Sequence, residues 1–125
     1  MRAVIRKTFS FDAAHSLPNH TGKCRELHGH SYRVELCFEG EIKPARGASD
    51  DGMVLDFLDV STWWQREVEP LVDHRFLNET LPEQFLPATA ENIAAWILAL
   101  VEDAGLPASA VTVWETSSAS ATVRP

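Results

Sequence analysis

Two cysteines, Cys24 and Cys37, are too few for a disulfide scaffold. They could form one bridge, but a reducing compartment makes two free thiols the expectation. Long apolar runs are missing as well. No stretch approaches the roughly 20 apolar residues of a membrane span, and none follows Arg2, Arg6 and Lys7, so no membrane segment or secretory leader is expected and a cytoplasmic location is the default. Basic charge is also short. Eleven Lys and Arg against 18 Asp and Glu leave a formal net charge of −7. That is the wrong sign for a partner held through phosphates, so no nucleic acid is expected. Solenoid repeats and low-complexity tracts are absent too.

What is there reads as a folded chain. Over 125 residues, 45% are hydrophobic and 23% charged, which excludes general disorder and a fibrous protein. This length is within the range of one domain, residues 1–125, able to bury roughly two-thirds of its unfolded surface.

Residues 3–11 read as a strand, with Ile5, Phe9 and Phe11 on one parity and Lys7 interrupting it. In residues 31–39 the alternation is cleaner: Tyr32, Val34, Leu36 and Phe38 share one face, and Cys37 lies on the other. Residues 12–30 contain Pro18, Asn19, Gly22 and Gly29 and read as a folded loop. Gly40 to Gly52, with Pro44 and Gly47, reads as a long, mobile connection. Residues 53–57 read as a short strand. After it, Asp59 or Ser61 can cap a helix carrying Val60, Trp64, Val68, Leu71 and Val72, with a kink at Pro70. Thr89 can cap a second helix, whose stripe of Ile93, Trp96, Ile97, Leu100, Val101 and Ala104 ends at Gly105 and Pro107. Residues 110–116 and 119–123 read as two strands around a turn at Ser117 and Ser118. The order ββααββ predicts an α+β fold with two helices on one face of an antiparallel sheet. Trp63 and Trp64 are adjacent and are not expected to face one core, which points one of them at a partner surface.

Four of the five histidines, His15, His20, His28 and His30, fall between residues 15 and 30. In an extended backbone His28 and His30 point the same way, while Gly29 lets another group approach closely. His15 can add a third nitrogen if its strand pairs beside them. Three imidazoles leave a tetrahedral Zn²⁺ one open position, which is a catalytic arrangement. Cys24 can instead close the site as a fourth, structural ligand, and a solvated loop without metal is the third reading. If the thiol stays free, a metal and the neighbouring Lys23 and Arg25 would favour its thiolate form, and thus a reactive base.

Asp73-His74 can act as a carboxylate-oriented proton shuttle, or as a turn cap beside an exposed histidine. Glu115 has the inward parity of Val111 and Val113. A buried carboxylate there needs either an arginine or a ligand presenting paired donors, such as the ring N–H and amine of a pterin or guanine.

In order, His15, Cys24-x-x-x-His28-Gly-His30, Gly52-Met-Val-Leu-Asp56-Phe57, Asp73-His74, Thr89-Ala-Glu91 and Trp114-Glu115-Thr116 resemble the 6-pyruvoyltetrahydropterin synthase family. The resemblance spans nearly the whole chain. Within the family it is similar to the bacterial 6-carboxytetrahydropterin synthases, because three residues separate Cys24 from His28 where animal-type pyruvoyl enzymes have more.

This resemblance implies a tunnelling fold whose sheets assemble into a barrel, commonly a homohexamer of two trimers. Active sites at protomer interfaces would let Asp73-His74 serve a neighbour's zinc. It implies that His15, His28 and His30 hold Zn²⁺, Cys24 accepts a carbon-bound proton, His74 with Asp73 relays protons, and Glu115 anchors the pterin, with Thr89 and Glu91 among the substrate contacts. The implied reaction converts 7,8-dihydroneopterin triphosphate to 6-carboxy-5,6,7,8-tetrahydropterin, releasing acetaldehyde and triphosphate, for 7-deazapurine synthesis such as the queuosine route. The alternatives are the pyruvoyl-forming enzyme and a non-catalytic, zinc-stabilised pterin-binding protein. Two departures stand out. Ala45 to Asp51 is longer than the family's usual turn, and Arg75 stands where bacterial relatives often carry His. An anionic substrate also requires a local basic patch on this acidic chain, with Lys23 or Arg25 as candidates.

Overall fold

The computed structural model describes residues 1–125. Strands β1 (Arg2–His15) and β2 (His28–Glu41) pair antiparallel in unbroken register from Arg2↔Glu41 to His15↔His28. Alternation turns Ile5, Phe9, Phe11 and Ala13 of β1 and Tyr32, Val34, Leu36 and Phe38 of β2 into one core. Lys7 shares that parity, and its ammonium lies 5.7 Å from the Phe9 ring centroid, the stem covering apolar surface while the charge reaches outward. Both strands outrun the apolar alternation that predicted 3–11 and 31–39. Imidazoles, glycine and small residues continue the pairing where the hydrophobic pattern has ended, and this places His15, His28 and His30 on the sheet rather than in a loop.

Strands β3 (Ala108–Thr116) and β4 (Ala119–Val123) complete a four-stranded antiparallel sheet in the order β1-β2-β3-β4, leaving β1 and β4 at its edges. Between the halves lie the helices. Asp56, not Asp59 or Ser61, caps α1 (Phe57–Trp63), its carboxylate accepting the Leu58 N–H. The expected strand at 53–57 is therefore absent, because Phe57 already opens the helix. The expected mobile connection is a hydrogen-bonded turn: Lys43 and Met53 pair through backbone, and Asp51 accepts the Arg46 and Gly47 N–H groups.

The helix continues from α1 through a π turn (Trp64–Val68) into α2 (Glu69–Val72), with Pro70 in the first turn of α2. Proline lacks an N–H and its ring crowds the carbonyl four residues back, so a widened turn just ahead of Pro70 accommodates it. Trp63 and Trp64 both lie in the core, at 8% and 1% exposure. This corrects the expectation of an outward tryptophan. Trp64 stacks on Phe9 at 4.5 Å, while Trp63 turns toward Leu100 and Ala104 of this same chain.

After the short α3 (Leu77–Thr80), Thr89 caps α4 (Ala90–Asp103) by accepting the Asn92 N–H. Gly105, with φ of 74°, stops it in the left-handed conformation glycine adopts readily. Ile93, Ala94, Ile97 and Val101 pack α4 into the same core as Val111 and Val113. The expected α+β architecture is thus present, with helices on one sheet face and a polar opposite face carrying Ser10, Ser31, Arg33, Glu35 and Thr112. No helix is long and apolar enough to cross a membrane.

Candidate active site

The register that pairs His15 with His28 and Ala13 with His30 puts three imidazoles on the core side of the sheet's end. Their ligating nitrogens lie within 4.8 Å of one another. His15 Nε2 is 2.9 Å from His28 Nε2 and 3.1 Å from His30 Nε2.

Two backbone carbonyls decide which nitrogens carry hydrogen. His15 Nδ1 lies 2.7 Å from the Ala88 carbonyl, and His28 Nδ1 lies 2.7 Å from the Glu26 carbonyl. A carbonyl only accepts, so both Nδ1 atoms donate and the neutral rings carry their lone pairs on Nε2. Facing lone pairs at 2.9 Å repel unless a cation lies between them. A proton is disfavoured at His30, where burial, against a smaller opposing effect of Glu115 and with help from His15 and His28, holds the pKa below 6.5. The donor set therefore fits a divalent metal. Second contacts to ring Nδ1 are also the usual way ligating histidines are oriented.

Tyr32 packs edge-on against His15 and His30, with centroids 5.9 and 5.4 Å away, and stacks on Phe11. It is fully buried, and its hydroxyl has no hydrogen-bond partner. Burial, reinforced by Glu115, holds that hydroxyl well above the ordinary tyrosine range. Glu115 occupies the irregular step between the Trp114↔Ser120 and Thr116↔Ala119 pairs. A bulge of this kind re-aims a side chain. Half-buried, Glu115 forms neither an ion pair nor a hydrogen bond, so of the two partners it could have, the arginine is not there.

Asp73 and His74 do touch, with His74 Nδ1 3.1 Å from Asp73 Oδ1. The chain leaves α2 and docks on the edge of β1: Asp12 N–H donates to Asp73 Oδ1 at 3.1 Å, His74 N–H to the Asp12 carbonyl at 2.6 Å, and Ala14 N–H to the Arg75 carbonyl at 3.0 Å. These bonds hold His74 at φ of 58°, an uncommon value for a residue with a side chain. The Asp12 N–H first, then His74, hold the Asp73 carboxyl below 3.8. A carboxyl titration by NMR is expected to show that depression. The contacts are then present above the ordinary aspartate range and lost as pH falls through the lowered value, whereas an undisplaced titration would mean the pair does not form.

Cys24 lies half-exposed in a 3₁₀ turn (Lys23–Arg25), outside the three-histidine group. Both cysteines are free thiols. His20 is exposed and accepts the Gly22 N–H, away from the other three rings. Thr89 is engaged as the α4 cap, and Glu91 is exposed in that helix's first turn. A Cβ at Gly29 would lie 3.4 Å from the Ala13 carbonyl, an ordinary contact, so the close approach expected there reduces to a neighbouring strand. Sequence reasoning missed Tyr32, Asp12 and the Ala88 and Glu26 carbonyls. Backbone acceptors have no residue signature, and Asp12 acts through its own backbone.

Residues 4–125 match the profile of the family described as 6-pyruvoyl tetrahydropterin synthase. The chain belongs to the 6-pyruvoyl tetrahydropterin synthase family. It is similar to the 6-carboxy-5,6,7,8-tetrahydropterin synthase of a Synechocystis strain, 43% identical over 94% of this chain and 90% of that protein. It is also similar to the dihydroneopterin monophosphate aldolase of Pyrococcus furiosus, 40% identical over 78% of this chain and 73% of that one. Among solved structures, the Caenorhabditis elegans 6-pyruvoyl tetrahydropterin synthase superposes with a TM-score of 0.85 at 26% identity, covering 100% of this chain and 96% of the other. The fold is thus the tunnelling fold of this pterin synthase family, and the chain is one of its enzymes.

Proposed function

We propose that this pterin synthase family member converts 7,8-dihydroneopterin triphosphate to 6-carboxy-5,6,7,8-tetrahydropterin, with release of acetaldehyde and triphosphate. The observation that carries the reading is the trio of Nε2 atoms converging with no fourth protein ligand among them. Zn²⁺ held by His15, His28 and His30 would supply Lewis acidity toward the substrate's side-chain hydroxyls and leave a position for them. Cys24 takes the carbon-bound proton, and the Asp73–His74 pair relays protons. Glu115, a half-buried carboxylate without a cation, receives the paired N–H donors of the pterin ring. Thr89 and Glu91 contribute contacts at the start of α4.

The carboxy-forming branch is favoured over its relatives by the similarity to the Synechocystis enzyme and by the short Cys24–His28 spacing. The β4 edge, and the β1 edge ahead of Asp12, suit sheet-to-sheet assembly into a homohexamer, in which Asp73 and His74 of one copy serve the metal of another. A cytoplasmic role in 7-deazapurine (queuosine-type) synthesis accords with this chemistry. Zinc-loaded protein incubated with dihydroneopterin triphosphate is expected to yield acetaldehyde and the carboxypterin in equal amounts. Formation of the pyruvoyl product alone would reject the carboxy assignment, and pterin binding without turnover would make the protein a binding module.

A further inference from the structure

We infer that Arg75 receives the phosphate tail of the substrate and sets this enzyme's preference for a phosphorylated pterin; the inference rests on the pterin triphosphate reading above. Arg75 follows His74 directly, and its backbone is pinned by the bond from Ala14 N–H to its carbonyl. The side chain is pinned as well. Its Nε donates to the Pro70 carbonyl at 3.1 Å, which fixes the guanidinium plane while leaving both terminal NH₂ groups unused. No carboxylate forms an ion pair with it.

Arg75 lines an open groove along the β1 edge with Asp12, Ser31 and His74, and it is the one lysine or arginine in that lining. The acidic groups there already have donors: Asp12 Oδ1 accepts the Ser31 hydroxyl at 2.6 Å, and Asp73 Oδ1 accepts from Asp12 N–H and His74. Those donors occupy carboxylate oxygens but leave their charge, so the groove's one arginine is the group that can draw an anion in against them. A planar guanidinium with two free donor groups matches phosphate oxygens bidentately. The other candidates are placed elsewhere. Lys23 and Arg25 are exposed beside Cys24 and do not line this groove, and Arg33 lies 4.0 Å over the Trp114 ring. Phosphate number is a real variable among relatives, since the Pyrococcus furiosus protein is named for a monophosphate.

The test compares zinc-loaded wild type with Arg75→Gln and Arg75→Lys in turnover of dihydroneopterin triphosphate and its monophosphate, and in binding of unphosphorylated dihydroneopterin, which lacks the leaving group, after checking that all three proteins melt alike. Arg75→Gln is expected to raise KM for the triphosphate at least about tenfold, with kcat within about threefold and the dissociation constant of unphosphorylated dihydroneopterin unaffected. Arg75→Lys, keeping charge but losing the fork, should fall between. Equal losses on all three pterins, in KM for the two phosphorylated ones and in binding for the third, or no loss at all, would overturn the assignment. If wild type turns over none of these pterins, the functional reading fails, and inorganic tripolyphosphate still decides the arginine. Calorimetric binding that weakens about tenfold in Arg75→Gln supports the tail site. Binding that is equal in both proteins, or absent in wild type, rejects it.

Discussion

His30→Ala is expected to leave the protein without its metal, with zinc content falling from near one equivalent per chain to a small fraction, and with turnover down about 10³-fold. Two imidazoles remain in that variant, but they no longer enclose an ion, and a metal at a developing oxyanion supplies several kcal/mol of stabilisation. The wild-type geometry explains why the effect should be specific. His15 and His28 hold their Nδ1 hydrogens on carbonyls, which turns their Nε2 lone pairs to the point that His30 Nε2 also faces, and burial favours neutral His30. Removing metal from wild type with a chelator should lower its melting temperature through lost ligand stabilisation, while His30→Ala should not respond. His20→Ala is the internal control, since His20 faces Gly22 and lies outside the cluster. Zinc content unchanged in His30→Ala, or reduced equally in His20→Ala, would remove the metal centre.

The three-histidine cluster was legible in the sequence to the extent that residue spacing encodes it. The His28-x-His30 pair needs only an extended backbone, and His15 needs only a hairpin; the structure supplies both. The strand ends were not legible, because a hydrophobic alternation stops where imidazoles and alanines take over the same parity. The first helix start was misplaced for a related reason: Asp56, Asp59 and Ser61 are all competent caps, and only the chain's path selects Asp56. Trp63 and Trp64 both find apolar neighbours although adjacency on a helix separates two side chains by about 100°, because one ring lies on Phe9 of the sheet and the other reaches sideways to α4 on the same sheet face. The contact between Asp73 and His74 also needed coordinates. It depends on a left-handed backbone at His74 that is imposed by the edge of β1, a long-range effect without a local sequence signal.

Cys24→Ala separates the two chemistries open to the thiol. A fourth ligand would close the coordination shell, and its loss would take zinc and stability together. A base leaves both intact, and its removal costs about 10²–10⁴-fold in turnover. The structure favours the second outcome, because Cys24 sits on a half-exposed 3₁₀ turn tied down by its own carbonyl, which accepts the Leu17 N–H at 2.8 Å, while its sulfur stays outside the histidine group. The expected result is therefore a variant with wild-type zinc content and melting temperature but with turnover reduced by that factor. Alkylation provides an independent reading on the native protein. Cys37 is buried and bonded toward Glu35 at 3.5 Å, and burial first, then Glu35, pushes its thiol up and keeps it protonated. Iodoacetamide should accordingly modify Cys24 first and abolish turnover with one equivalent incorporated. Zinc released on alkylation, or lost in Cys24→Ala, would instead make the sulfur a ligand and the site a closed, structural one.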